Sequence, residues 1–123
     1  MSKVFVHVMP SFMAEESSPE KHRFVFSYTV SITNETEHEV QLLSRHWIIT
    51  NGETLKTQEV RGDGVVGQKP VIQPGESYTY TSGTVMETQV GTMHGFYTMQ
   101  DHEGECFDVE IPVFTLAAPH SVH

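Results

Sequence analysis

From Phe24 to Thr33 the chain alternates strictly. Phe24, Phe26, Tyr28, Val30 and Ile32 are apolar, and Val25, Ser27, Thr29, Ser31 and Thr33, mostly hydroxyl-bearing, lie between them. A period of two places one set on each face of a strand, whereas a helix would scatter both sets around its circumference. The same pattern recurs in Val4, Val6 and Val8, in Tyr78 and Tyr80, in Met93, Tyr97 and Met99, and in Phe107, Val109, Ile111 and Val113. Between Val40 and Thr50 the apolar phase slips at Leu42–Leu43, which predicts a bulge. No segment keeps a helical period for three turns; Leu55 to Val60 comes nearest, and it is short and rich in β-branched residues. Turn signals separate the runs. Asn51-Gly52 predicts a tight hairpin into a strand from about Thr54 to Arg61, and Gln73-Pro74-Gly75-Glu76 predicts a type II turn. The expected fold is all-β, an antiparallel sandwich of about seven to eight strands, with a barrel as the alternative.

One motif points elsewhere. Gly62-Asp63-Gly64-Val65-Val66-Gly67 spells G-x-G-x-x-G, a dinucleotide-binding fingerprint. In such a site the glycines open a helix whose N-terminus holds the pyrophosphate. Here Pro70 and Pro74 follow, with Val71 and Ile72 between them, so a helix would be broken within its first two turns. The loop must do something else.

The bulk properties limit what that is. The chain has 123 residues and a net charge of −9, from 16 acidic residues against seven Lys and Arg. It reads as one domain, 1–123, with residues 1–3 and 117–123 as loosely held termini. So acidic a surface repels phosphate backbones and anionic bilayers, so neither nucleic acid nor a membrane is expected as a partner. Cys106 is the only cysteine, so no disulfide framework exists, and the N-terminal run interrupted by His7 and Pro10 is no signal peptide. A cytoplasmic location is expected.

Several blocks resemble the ApaG family in order and spacing: Phe24 to Val30, Val40 to Asn51, Gly62 to Gly67, Pro74-Gly75-Glu76, Tyr80 to Gly83, Gly91 to Tyr97 and Ile111 to Phe114. The resemblance covers essentially the whole chain. It implies a fibronectin type III-like, immunoglobulin-like sandwich and an association with cobalt and magnesium efflux, which is a phenotype rather than a mechanism. It also implies kinship with ApaG domains inside larger eukaryotic proteins, one an F-box protein and one a partner of a DNA polymerase. The family supplies no catalytic residues to carry over.

The candidate binding loop is Arg61, Gly62, Asp63, Gly64, Val65, Val66 and Gly67, with Lys69 beyond it. Two readings compete. In the first, Val65 and Val66 stand at the loop tip and offer apolar surface to an unidentified protein partner. In the second, the glycine N–H groups form an anion nest for nucleotide, phosphate or pyrophosphate, helped by Arg61 and Lys69 and opposed by Asp63, with a divalent cation and weak hydrolysis as an extension. The first is preferred: a non-catalytic interaction module, not an enzyme, with no cofactor. The eight histidines form neither H-x-H nor H-E-x-x-H, so no metal site is expected, and His102 between Asp101 and Glu103 reads as a solvated loop residue. Cys106 is expected opposite a residue near Met99, out of reach of His94. The thinly guarded strand from Lys3 to Met9 predicts self-association into a homodimer.

Overall fold

In the computed structural model, residues 3–119 are described. Their strands are β1 (Val4–Phe12), β2 (Phe24–Asn34), β3 (Val40–Asn51), β4 (Thr57–Asp63), β5 (Val71–Ile72), β6 (Ser77–Met86), β7 (Val90–Asp101) and β8 (Cys106–Ala117). All pairings are antiparallel. One sheet has the order β1-β2-β6; the other runs β4-β3-β7-β8, with β5 also on β3. This is an antiparallel β-sandwich, as the alternation predicts, of the fibronectin type III-like kind that the resemblance implies. The connection between β1 and β2 contains two short 3₁₀ turns, Ala14–Glu16 and Pro19–Lys21.

The inward set of β2 is buried from Phe26 through Tyr28, Val30 and Ile32 to Asn34. Its outward hydroxyls pair with β6 in a ladder: Thr29 with Thr81, Ser31 with Thr79, and Thr33 with Ser77, all through side-chain oxygens. Between the sheets Trp47 stands edge-on to Tyr28, Tyr97 and Phe114, with ring centroids 5.3, 6.4 and 5.9 Å away. Each such pair contributes about 0.5–1.5 kcal/mol beyond its buried area. Asn34 is a buried polar residue that the apolar pattern passed over. Its Nδ2 donates to His38 O and Ile72 O, and its Oδ1 accepts from Thr36 N–H, tying the β2–β3 connection to β5.

The predicted bulge in β3 is present: pairing with β7 skips Leu43, between Leu42↔Met99 and Ser44↔Thr98. Gln73 to Glu76 form the predicted turn, with Gly75 at φ 81° and Glu76 N–H donating to Gln73 O. Two expectations need correction. The Asn51-Gly52 hairpin is wider than a two-residue turn: Asn51 N–H donates to Lys56 O, and Asn51 Oδ1 accepts from the N–H groups of Glu53 and Thr54. This Asx turn delays β4 to Thr57. Val113 is 65% exposed rather than on the buried face with Val109 and Ile111. The cause is a second irregularity, in β8: Gly95 pairs with Ile111 and Met93 with Phe114, so Pro112 and Val113 take an extra place and the phase flips.

Ala117 pairs with Val90, and Ala118 N–H donates to Gln89 O, so the start of the expected loose C-terminal stretch is tied down. Met1, Ser2 and residues 120–123 lie outside the described residues.

Candidate binding site

β3 lends the same edge to two strands. β4 pairs with it from Ser44 to Thr50, and β5 pairs with Val40 and Gln41. The glycine-rich loop bridges these two strands, directly beside the Leu43 bulge. Gly64 N–H donates to the bulged Leu43 O at 2.8 Å, and Leu42 N–H donates to Pro70 O at 3.0 Å, so both ends of the loop are stitched to β3.

The motif itself folds as a miniature hairpin. Val65 and Gln68 exchange both backbone hydrogen bonds, at 2.8 Å each. Val66 and Gly67 form the turn between them, at φ 48° and 75°. Two consecutive positive φ values are what a type I′ turn requires. Gly64 is also left-handed, at φ 62°, and a Cβ there would stand 2.3 Å from Gln68 O. Gly62 is ordinary extended strand. The glycines therefore serve turn geometry, and the N–H groups of Gly64 and Val65 already donate within the protein.

The two valines separate. Val65 is fully buried in the core, while Val66 is 61% exposed. The expectation of a paired apolar tip is corrected: positive φ at Val66 turns successive side chains to opposite sides, and Val65 fills the gap between the sheets. Arg61 is likewise displaced from the loop. It lies on the outer face of β4, where Nη2 donates to Glu59 and Nε donates to His46 Nδ1, while His46 Nε2 lies 2.9 Å from the same Glu59 carboxylate. Because Nδ1 accepts from Arg61, Nε2 is the protonated nitrogen and the donor to Glu59. Lys69 is exposed.

The cation that does reach the loop is one the sequence reading missed. Past the bulge, Arg45, Trp47 and Ile49 occupy the inward phase of β3. Arg45 Nη1 donates to Asp63 O at 3.0 Å and to Gly64 O at 2.8 Å. It stands at the side of the sandwich where the β4 and β6 edges face each other. There Tyr28, Arg45, Trp47, Asp63, Val65, Val66, Gly67, Tyr80 and Ser82 line a cleft of about 270 Å³. An adjoining cavity of about 190 Å³ continues along Val60, Ser82 and Met93. The cleft floor is aromatic. The Tyr80 and Tyr97 hydroxyls hydrogen-bond to each other. Burial pushes the Tyr80 phenol up to about 12, and burial together with the neighbouring Tyr80 pushes Tyr97 higher still. Burial also raises Tyr28, partly offset by its hydrogen bond with Ser82. These phenols stay protonated at neutral pH and offer hydroxyls, not bases.

The other candidate chemistry is dispersed. Cys106 is exposed and pairs with Gln100, beside the expected Met99 and far along the hairpin from His94. The His102 ring stacks on His38, with centroids 3.8 Å apart. Among the described residues no group of three His, Cys, Asp or Glu side chains is placed to hold a metal ion, and no helix is long and apolar enough to cross a membrane.

Fold and site together define a small β-sandwich domain with a glycine-rich loop clasped over an inter-sheet cleft. Residues 14–101 match the ApaG domain family, and the chain belongs to that family. It is 51% identical over 121 residues to protein ApaG of Pectobacterium carotovorum, covering 98% of this chain and 96% of the relative. With protein ApaG of Pseudomonas aeruginosa the identity is 54%, covering 98% and 95%. A crystal structure described as an ApaA protein from Bordetella pertussis superposes with a TM-score of 0.92 at 48% identity, covering 97% of this chain and 96% of that one.

Proposed function

We propose that this chain is a non-catalytic cytoplasmic binding module that docks a protein partner at the β4–β5 loop, with Val66 as the contact. One observation carries the reading: a β-branched side chain is 61% exposed and left-handed, on a loop pinned at both ends. A left-handed L-residue costs about 1–2 kcal/mol, and an exposed valine recovers little of that by packing. Backbone strain that a rigid scaffold maintains at an exposed point is a recurrent mark of a functional surface. The association with cobalt and magnesium efflux that the family resemblance implies fits a module acting through its partner. The pyrophosphate alternative is less well supported, because a nest would need N–H groups that Gly64 and Val65 already donate elsewhere.

The test is a pull-down from native extract with the full chain and with Val66→Ser. The variant is expected to keep its thermal stability and lose the captured partner. Equal capture by both proteins would remove Val66 from the contact and with it this reading.

A further inference from the structure

Arg45 is an inward-facing guanidinium whose hydrogen-bonding capacity is only partly used. A guanidinium carries five N–H donors. The two on Nη1 are taken by Asp63 O and Gly64 O. Among the described residues, neither Nε nor Nη2 has a protein acceptor, and no carboxylate lies within ion-pair distance of Arg45. The Nε–H and one Nη2–H form a parallel pair, the edge of guanidinium that matches two oxygens of one oxyanion. Arg45 is half-buried at the side of the sandwich, so a ligand can reach this edge from solvent. The hydroxyls of Tyr28 and Ser82 line the same cleft and hydrogen-bond to each other, which leaves one O–H of the pair to donate to a ligand.

We propose that this cleft is a subsite for a single oxyanionic group, a carboxylate or a phosphate, gripped by the free edge of Arg45 and flanked by Tyr28 and Ser82. The inference rests on the binding-module reading and deepens it, since it states what the partner must present beside Val66. The cleft of about 270 Å³ has room for such a group, and the adjoining cavity of about 190 Å³ has room for part of the chain that carries it. Asp63 also lines it and selects against highly charged ligands. The net charge of −9 adds the same bias at longer range.

The experiment is NMR of the isotope-labelled full chain, titrated separately with sodium phosphate and sodium acetate against sodium chloride at matched ionic strength. Saturable shifts of the Arg45 Nε–H signal and of the Ser82 and Gly67 amides, absent with chloride, are expected. The acetate and phosphate arms tell a carboxylate ligand from a phosphoryl one. Arg45→Lys keeps the charge and loses the fork, and is expected to weaken binding about tenfold or more. Ser82→Ala leaves the loop tethers intact and weakens it too, while Asp63→Asn strengthens it. Shifts equal to those with chloride, or undiminished in both Arg45→Lys and Ser82→Ala, would make Arg45 a loop tether only and overturn the proposal. A blank titration alongside Val66-dependent capture defeats the oxyanion site alone. Saturable titration without such capture defeats the partner reading alone.

Discussion

Gly62 makes room for Arg45. The two residues face each other across β3 and β4, and a Cβ on Gly62 would lie 2.6 Å from Arg45 Nη2. The guanidinium occupies the space that a side chain at position 62 would fill, and from there Nη1 reaches the carbonyls of the loop. The first glycine of the motif is thus explained by a cross-strand neighbour and not by backbone curvature.

This distinction orders the glycine substitutions. Gly62→Ala displaces the far end of a flexible side chain and loosens the two Arg45–carbonyl bonds, for an expected loss of about 1–2 kcal/mol. Gly64→Ala meets backbone at 2.3 Å with φ at 62°, which only a rearranged loop relieves. Its loss is expected to be larger, about 3 kcal/mol or more. Urea denaturation of both variants gives the ranking, and the reverse order would refute the assignment.

The valines are expected to respond in opposite directions. Val65→Ala removes two buried methyl groups and leaves a cavity, lowering stability by about 2–3 kcal/mol. Val66→Asn creates Asn-Gly at the centre of a type I′ turn and relieves the left-handed backbone, raising stability by about 0.5–1.5 kcal/mol. Thermal unfolding monitored by circular dichroism distinguishes the two effects.

A third expectation concerns pH. The folded-state values of Tyr80 and Tyr97 lie above the ordinary phenol value of 10.0, so the folded state holds these protons more tightly than the unfolded state does. Their contribution to stability is complete below pH 10 and declines as pH rises; for Tyr80 the decline runs to about 12. In that window each tyrosine lowers the unfolding free energy by about 1.4 kcal/mol per pH unit. Denaturant midpoints from pH 9 upward, followed by tyrosinate absorbance, should show the fall beginning near pH 10. The double variant Tyr80→Phe, Tyr97→Phe should leave only the shallower fall due to Tyr28.

Much of the sandwich was legible because burial on one face of a strand writes itself into alternation; β2 is the clearest case. Val113 was misplaced because an irregularity at Pro112 has no periodic signature of its own. The site was harder to read. Its loop is visible as G-x-G-x-x-G, but the motif constrains φ without revealing which neighbour each glycine serves, and nothing in it assigns Val65 to the core or Arg61 to the outer face of β4. Arg45 was within reach: carrying the Leu42–Leu43 phase slip forward sets Arg45, Trp47 and Ile49 inward together.

That slip has an evolutionary consequence. Pairing with β7 already passes over Leu43, so omission of that residue alone would leave Ser44 opposite Thr98 and Arg45 still inward opposite Tyr97, and would remove only the bulged carbonyl that holds Gly64. The bulge therefore serves the loop and not the facing of the strand. A lineage could lose that codon and keep Arg45 facing the cleft, at the cost of one tether of the glycine-rich loop. When ApaG domains are aligned, a gap at this position therefore reports on how the loop is anchored, and the arginine column reports on the cleft.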